Sequence, residues 1–294
     1  MKEGGLVVLD KPAGMTSHDV VGRVRRIAHT RRVGHAGTLD PMATGVLLIG
    51  VERATKLLGY LAGKDKSYTA TLRLGQSTVT DDAEGEVVGG ADAAAVTDDA
   101  VRRGLARLTG EIDQVPSAVS AIKVGGQRSY ARVRAGEAVE LAARRVVISR
   151  LDAVAFHRPR PELLDVDIEI DCSTGTYVRA VARDLGAALG VGGHLTALRR
   201  TRIGAFSLDL AVPLEELGAD PVAVGLDDLV DRTFERREVD AADARRAGTG
   251  QRIPAAGHCG PYAIFGPDGR AIAIAEDGAG KARYLVVLRP YEGT

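Results

Sequence analysis

The sequence predicts an α+β protein with a mixed, mainly antiparallel sheet and a smaller β-rich unit at its C-terminal end. Segments with strand periodicity alternate irregularly with segments of helical spacing, which differs from the regular succession of a parallel α/β fold. Past about residue 232 the pattern changes to short apolar strands separated by glycine-rich turns. The 294 residues suffice for one large or two ordinary domains, at ~150 residues per domain. We therefore expect domains at 1–232 and 233–294.

Two segments of the first domain have the period-two pattern of half-buried strands. In 68–74 every second residue is Tyr, Ala or Leu, and in 164–171 four aliphatic residues alternate with four acidic ones. Successive side chains of a strand point to opposite faces, so each segment offers one apolar face to a core.

Helical spacing occurs at three places in the same domain. Residues 17–28 place valines on one face behind a possible cap at Thr16 or Ser17, and 97–108 and 178–189 show the same apolar spacing.

The C-terminal unit combines one short helix with a hairpin. Residues 239–247 predict the helix, and strands at 262–265 and 270–274 flank a Gly-Pro-Asp-Gly turn, with another strand at 283–288.

Composition excludes several classes of protein. Hydrophobic residues make up 45% and charged residues 27%, as in ordinary soluble proteins. No apolar run approaches the ~20 residues of a membrane span, and the N-terminus lacks a signal peptide core. The two cysteines have no disulfide or metal-ligand pattern, and no phosphate-binding or dinucleotide glycine motif occurs. We expect a cytoplasmic protein without metal or cofactor.

Charge is unevenly distributed although the net charge is zero. Residues 1–75 carry 12 Lys and Arg against 6 Asp and Glu, and 121–160 carry 9 against 3. Because nucleic-acid binding depends on clustered cations, these two segments are candidates for one RNA-facing surface; solvated protein surface is the alternative.

The most informative segment is the loop 34–45, which holds three of the glycines, a histidine, one proline and a single carboxylate, Asp40. Glycine allows close approach of a ligand to the backbone, and Pro41 fixes the chain directly after the acid. An aspartate on such a rigid turn has the setting of a catalytic carboxylate. Taken alone, Asp40-Pro41 is more typical of an ordinary turn, because Asp and Pro favour turns.

Three further segments extend this motif into a family pattern. The four are Lys11-Pro12-Ala13-Gly14-Met15-Thr16-Ser17, the loop 34–45, Lys66-Ser67-Tyr68-Thr69-Ala70 followed by Leu74-Gly75-Gln76-Ser77-Thr78-Val79-Thr80-Asp81, and Gly175-Thr176-Tyr177-Val178-Arg179. Their order and spacing over about residues 5–215 resemble the bacterial tRNA pseudouridine synthases of the TruB family. The resemblance implies the pseudouridine synthase fold and isomerisation of uridine 55 in the TΨC loop of tRNA.

The resemblance also implies roles for individual residues. Asp40 corresponds to the nucleophile, and Arg179 to the arginine that keeps this carboxylate ionised. Tyr68 corresponds to a tyrosine that stacks on the target base and is suited to proton transfer at C5. On its strand, Tyr68 is equally a core residue by periodicity.

Three other residues are implied to contact the substrate. Tyr177 would pack against the base or sugar, and Leu198 would form an apolar pocket wall. His35 would occupy the space that the flipped-out nucleotide leaves in the RNA loop. Lys11 and Pro12 are expected to shape the fold.

Two larger features follow from the same resemblance. The Arg-rich, Gly-punctuated residues 116–160 match an insertion that forms a mobile thumb over the RNA, and the C-terminal unit resembles a small PUA-type RNA-binding domain. A cap on the core without a role in binding is the alternative for that unit.

The sequence also allows other classes of function to be compared with the isomerase. A non-catalytic RNA-binding or tRNA-folding protein on this scaffold would have no need of Asp40, Tyr68 and Arg179 together. A hydrolase of the glycosidase kind normally needs paired carboxylates, and none is evident in the sequence. Relatives that depend on a guide RNA share the core, but the compact chain without basic tails favours the stand-alone bacterial type. We expect a monomer with no obligate protein partner, acting on the TΨC stem-loop.

Overall fold

The predicted strands and helices assemble around one long sheet. The computed structural model describes residues 3–117 and 141–289, with the backbone alone of 123–124 and 127–128. Its helices are α1 (Ser17–Ile27), α2 (Leu58–Ala62), α3 (Asp98–Arg107), α4 (Val178–Ala188), α5 (Leu226–Thr233) and α6 (Ala241–Gly248), with 3-10 turns at Arg53–Leu57, Leu208–Leu210 and Leu214–Glu216.

The strands are β1 (Gly4–Lys11), β2 (Val33–Ala36), β3 (Thr44–Glu52), β4 (Lys66–Leu74), β5 (Ser77–Thr78), β6 (Val87–Gly89), β7 (Gly110–Gln114), β8 (Lys123–Val124), β9 (Gln127–Arg128), β10 (Arg144–Arg160), β11 (Leu163–Cys172), β12 (Gly193–Ile203), β13 (Phe206–Ser207), β14 (Val212–Pro213), β15 (Val224–Gly225), β16 (Glu235–Glu238), β17 (Tyr262–Phe265), β18 (Ala271–Gly278) and β19 (Lys281–Val287).

The main sheet has the order β14-β1-β3-β12-β4-β11-β10-β7, with β15, β2 and β13 paired at the sides of this path. Only β1–β14 and β3–β12 are parallel among its described pairs. The prediction of a mixed, mainly antiparallel sheet is confirmed.

The short parallel contact between β3 and β12 determines where the glycine-rich loop lies. Thr44 and Gly45 pair with Arg199 and Arg200. Gly45 has φ +97, and a Cβ there would lie 2.2 Å from the Arg200 carbonyl oxygen, so this crossing requires glycine. The loop that carries Asp40 is thereby set directly against β12.

Helix α1 follows from its sequence as predicted. Thr16 is its N-cap: its hydroxyl accepts a hydrogen bond from the Asp19 backbone N–H, and the Asp19 carboxylate accepts one from the Thr16 N–H. This reciprocal capping satisfies two otherwise unpaired donors, and Val20, Val21 and Val24 lie in the core. The predicted helices at 97–108, 178–189 and 239–247 also form, within one or two residues at most ends.

The C-terminal part of the predicted insertion 116–160 contains a long strand of the main sheet. Residues 144–160 form β10, which pairs with β11 and β7 inside the main sheet. Its arginines lie on the solvent side while Val146, Ile148 and Leu151 are buried. Register shifts interrupt the pairing of β10 with β11, which breaks the strict alternation a sequence pattern needs. Residues 118–140 lie outside the described residues except for the backbone of β8 and β9.

The C-terminal unit is a four-stranded sheet, β16-β17-β18-β19, with α6 packed on it. Its Phe265 and Leu288 share one apolar cluster with Leu6, Phe206 and Leu226 of the first unit. The chain therefore changes architecture near residue 233, but the hydrophobic core continues across the boundary.

An ion-pair cluster, the clasp, joins the same two units at the surface. Arg289 donates to both carboxylate oxygens of Glu3 at 2.8 and 2.9 Å, and it also contacts Asp227 on α5. Arg270 donates a further hydrogen bond of 2.7 Å to Glu3. No helix in the described ranges is long and apolar enough to cross a lipid bilayer.

Candidate active site

A cavity of about 390 Å³ opens between the glycine-rich loop, β4, β12 and the start of α4. This volume lies in the range of about 300–1,000 Å³ typical of small-molecule pockets. Its wall is formed by Gly37, Thr38, Leu39, Asp40, Ala62, Lys66, Tyr68, Thr174, Gly175, Thr176, Tyr177, Val178, Arg179, Leu198 and Arg200. Five of the six residues singled out in the sequence thus meet at one cavity.

The loop that carries Asp40 is fixed at its C-terminal end by a buried lysine. Lys11, at the end of β1, has no solvent exposure, and its ammonium donates to the carbonyls of Pro12, Met15 and Pro41 at 2.7–3.1 Å. Burial lowers the pKa of Lys11 to about 8. The contact with Pro41, directly after Asp40, supports the expectation that Lys11 shapes the fold.

Arg200 on β12 holds the loop at Gly37, before Asp40, and again at Val46, the residue that follows the loop. Its guanidinium is buried and donates to the carbonyls of Val46 at 2.8 Å and Gly37 at 2.7 Å. Between these anchors, the Ser17 hydroxyl accepts from the Leu39 N–H at 2.9 Å. Asp40 therefore lies on a segment whose carbonyls are held by two buried cations.

Arg179 connects Asp40 to a second carboxylate. Its Nε lies 3.0 Å from Asp40 Oδ2, and its Nη1 lies 3.3 Å from Asp82 Oδ2 and donates to the Thr80 carbonyl at 2.9 Å. Arg179 is 5% exposed. Because water cannot solvate its charge there, the two carboxylates compensate it. One guanidinium is shared by two carboxylates.

The pKa of Asp40 is raised above its ordinary value. Burial is the largest cause, and Asp82 adds to it, while Arg179 and Lys11 act in the opposite direction. The Asp40 side chain is 37% accessible, but that surface faces a concave cavity, where hydration is weaker than in open solvent. Arg179, the arginine expected from the sequence, lowers the pKa of Asp40 by less than burial raises it.

Asp82 is a site residue that sequence reasoning missed. It is 3% exposed and accepts hydrogen bonds from the Thr80 hydroxyl and the Glu84 N–H. The only sequence signal was its place directly after the motif ending at Asp81. Asp82 does not line the cavity, so it cannot serve as the second carboxylate that a hydrolytic site would place beside the substrate.

Tyr68 and Leu198 form one wall of the cavity from adjacent strands. Tyr68 on β4 is 8% exposed, and burial raises the pKa of its phenol. Leu198 on β12 is 9% exposed, and its strand neighbour across the pairing is Ala70. Tyr68 is thus buried in the core, as its periodicity predicts, and it also lines the cavity. A position in the core and a position at the substrate pocket are therefore compatible.

Tyr177 and His35 differ in their position. Tyr177 lines the cavity and precedes the first residue of α4. His35 lies on β2, opposite Ile49, and does not line the cavity. Its Nδ1 is buried without a hydrogen-bond partner among the described residues, and burial lowers the pKa of its imidazole. The structure does not bring His35 to the other five.

The cavity is large enough for a nucleoside-sized group and has an accessible carboxylate in its wall. A carboxylate held by a guanidinium projects into the cavity, a phenol stands on the adjoining wall, and an aliphatic side chain offers an apolar surface. The carboxylate, the phenol and the apolar surface are three of the groups that the resemblance in the sequence implies for the substrate pocket.

Solved structures share the fold. A Cbf5-Nop10-Gar1 complex matches with a TM-score of 0.75 and 23% identity, covering 97% of this chain and 85% of that chain. An archaeal box H/ACA sRNP Nop10-Cbf5 complex matches with a TM-score of 0.74 and 23% identity, covering 99% of this chain and 88% of that chain. Identities this low show the fold alone.

Sequence comparison shows the family. A model described as the N-terminal domain of TruB family pseudouridylate synthase matches residues 25–178, and two C-terminal models of tRNA pseudouridine synthases match 179–233 and 234–289. Proteins called tRNA pseudouridine synthase B are 57% identical in Mycobacterium sp. (strain KMS), over 98% of this chain and 97% of theirs, and 58% identical in Mycolicibacterium paratuberculosis, over 99% of both. The chain belongs to the TruB family of pseudouridylate synthases.

Proposed function

We propose that this protein isomerises uridine to pseudouridine at position 55, in the TΨC loop of tRNA, with Asp40 as the nucleophile. Full-length relatives named tRNA pseudouridine synthase B support the reaction and the tRNA substrate. The contact of 3.0 Å between Asp40 and Arg179, at the wall of a nucleoside-sized cavity, is the observation that carries the assignment of the residues.

The reaction is an isomerisation, so its atoms balance without a co-reactant. The bond between C1′ and N1 breaks, the uracil rotates, and a bond forms between C1′ and C5. The proton lost from C5 is matched by one gained at N1. No electron donor or acceptor takes part.

Asp40 must be ionised in every route that such chemistry allows. Attack at C1′ and attack at C6 both need a carboxylate lone pair, and a route through a glycal needs a base. Arg179 stabilises this ionised form against the burial that opposes it. Asp82 holds the other side of the guanidinium and so fixes its orientation toward Asp40.

Tyr68 is proposed to stack on the uracil and to move the C5 proton. Its ring lies in the cavity wall, and its raised pKa keeps the phenol protonated before substrate binds. The protonated phenol can take the C5 proton only if a neighbouring group first accepts the phenolic proton. Tyr177 and Leu198 complete the enclosure of the nucleoside.

The target uridine must leave its stack to reach Asp40. We place His35 against the RNA loop, where it would occupy the space that the nucleotide vacates. Its location on β2, outside the cavity, fits contact with the RNA rather than with the extruded base. The C-terminal PUA-like unit is proposed to bind tRNA beside the catalytic unit.

The test is incubation of the protein with an unmodified tRNA transcript, followed by mapping of pseudouridine at single-nucleotide resolution. We expect product at the TΨC-loop uridine with the wild-type protein and a loss of at least ~10⁴-fold in rate with Asp40→Asn. Binding without product would support the RNA-folding alternative, and release of free uracil would support a hydrolase. Undiminished product from Asp40→Asn would remove Asp40 from the mechanism.

A further inference from the structure

A buried glutamine outside the cavity holds the segment that carries Tyr177 and Arg179. Gln114 is the last residue of β7 and is 2% exposed. Its side-chain Oε1 accepts from the Tyr177 N–H at 2.8 Å, and its Nε2 donates to the Tyr177 carbonyl at 3.1 Å. One amide thus satisfies both backbone groups of one residue, 63 positions away in the chain.

Tyr177 needs such an external partner because of its place in α4. It is the N-cap residue, and its own side chain makes no capping hydrogen bond. In a capping box, the N–H of the N-cap residue donates to a Glu or Gln side chain at the third helical residue; here that residue is Ala180, which has no acceptor, so Gln114 supplies it. The Tyr177 carbonyl also accepts from the N–H groups of Ala180 and Val181, so this peptide starts the helix. Gln114 therefore fixes the point at which α4 begins.

A second contact holds the next turn of α4. Arg183 donates to the Val115 carbonyl at 2.7 Å and lies 3.3 Å from Asp81. Arg179 and Arg183 are four residues apart, so they lie on the same side of the helix. Gln114 thus contacts Tyr177, before Arg179 in the chain, and Val115 contacts Arg183, after it. The guanidinium that meets Asp40 belongs to a residue between these two contacts.

We propose that Gln114 is a positioning residue for the isomerisation: by clamping the Tyr177 peptide it sets the orientation of Arg179 toward Asp40 and of the Tyr177 ring toward the bound nucleoside. The role requires an amide, because only an uncharged side chain of this length that both donates and accepts can bind both groups at once. This inference rests on the proposed function of the site.

The test compares Gln114→Met with the wild type on unmodified tRNA. Methionine has nearly the same length and removes both hydrogen bonds. We expect the single-turnover rate constant to fall by about 10- to 100-fold, since small misplacements of catalytic groups cost this much, while the Kd for tRNA changes by less than about twofold. A matched control is Glu111→Gln, on the exposed face of the same strand, with a rate equal to the wild type.

A second readout separates positioning from general loss of structure. The contact with Arg179 lowers the pKa of Asp40, so displacement of Arg179 raises it further. The acid limb of the rate against pH should therefore move to higher pH in Gln114→Met and stay in place in Glu111→Gln. A merely structural role would lower the amount of active protein without moving this limb.

Each outcome decides the proposal. A Gln114→Met protein with wild-type rate and pH profile overturns it, as does a reduced rate with an unmoved acid limb. If Gln114→Met does not fold by circular dichroism, the same measurements on Gln114→Asn apply, because asparagine keeps an uncharged amide but is one methylene too short to bind both Tyr177 groups at once. We expect a smaller change of the same kind; failure of both variants to fold assigns Gln114 to folding alone and overturns the proposal. Failure of the proposed function is distinguishable, because then the wild type itself forms no pseudouridine.

Discussion

One arginine between two carboxylates recurs among the described residues, and the clasp and the active site are two instances in which the pKa of the acid shifts in opposite directions. In the clasp, Arg289 lies between Glu3 and Asp227, and its hydrogen bonds are the largest cause that lowers the pKa of Glu3 to about 2. In the active site, Arg179 lies between Asp40 and Asp82, and the pKa of Asp40 is nevertheless raised.

The difference lies in what else surrounds each acid. Glu3 accepts hydrogen bonds from Arg289 through both carboxylate oxygens and a further one from Arg270, at a partly exposed position. Asp40 faces a cavity, contacts Arg179 through one nitrogen, and has the charge of Asp82 nearby. A fully satisfied carboxylate is inert and stabilising, whereas an incompletely satisfied one keeps the lone pairs that a nucleophile needs.

The largest expected effect comes from shortening each arginine in turn. Arg179→Lys keeps the charge but cannot reach both carboxylates, so we expect the rate of pseudouridine formation to fall by about 10²- to 10³-fold. Arg289→Lys should leave that rate within about twofold and lower the melting temperature instead, by about 2–4 °C for each 1 kcal/mol lost. Equal rate losses in the two variants, measured in single turnover, would show that the clasp is not separate from catalysis.

A smaller effect is expected on the pH dependence of the site. Activity requires ionised Asp40, and its raised pKa means that activity is lost, as pH falls, at a higher pH than an ordinary aspartate would give. Asp82→Asn removes a negative charge that raises this pKa, so the acid limb should move to lower pH. A limb that moves upward, or not at all, in the rate profile of Asp82→Asn would contradict this account of the charges.

The smallest effect is expected on stability at acid pH. The folded-state pKa of Glu3 is lowered from 4.5 to about 2, so its contribution is complete above 4.5 and is lost as pH falls toward 2. Glu3 is partly exposed, so solvent screening limits this contribution to about 1 kcal/mol or less. Glu3→Gln should therefore be less stable than the wild type at pH 7 by urea unfolding, with the difference shrinking between pH 4.5 and pH 2. A difference independent of pH would assign the loss to packing.

Patterns that depend on neighbours in the chain were predictable. The alternation in 68–74 and 164–171 and the capped spacing of 17–28 gave β4, β11 and α1, because strand and helix periods are local properties. Strand β10 was not predicted, because its arginines resemble a solvated loop and register shifts interrupt its pairing. The shared core of the two units was also missed, since it depends on packing between distant segments.

By itself, the sequence determined the local elements, the family pattern, and five of the residues that line the cavity. Only the tertiary structure decided the contacts around these residues: it brought Asp82 to Arg179, Arg200 to the Gly37 carbonyl, and Gln114 to Tyr177, and it kept His35 apart. The physical reason is that periodicity and turn chemistry act over a few residues, whereas burial and ion pairing depend on atoms that only the packed sheet brings within a few ångströms of each other.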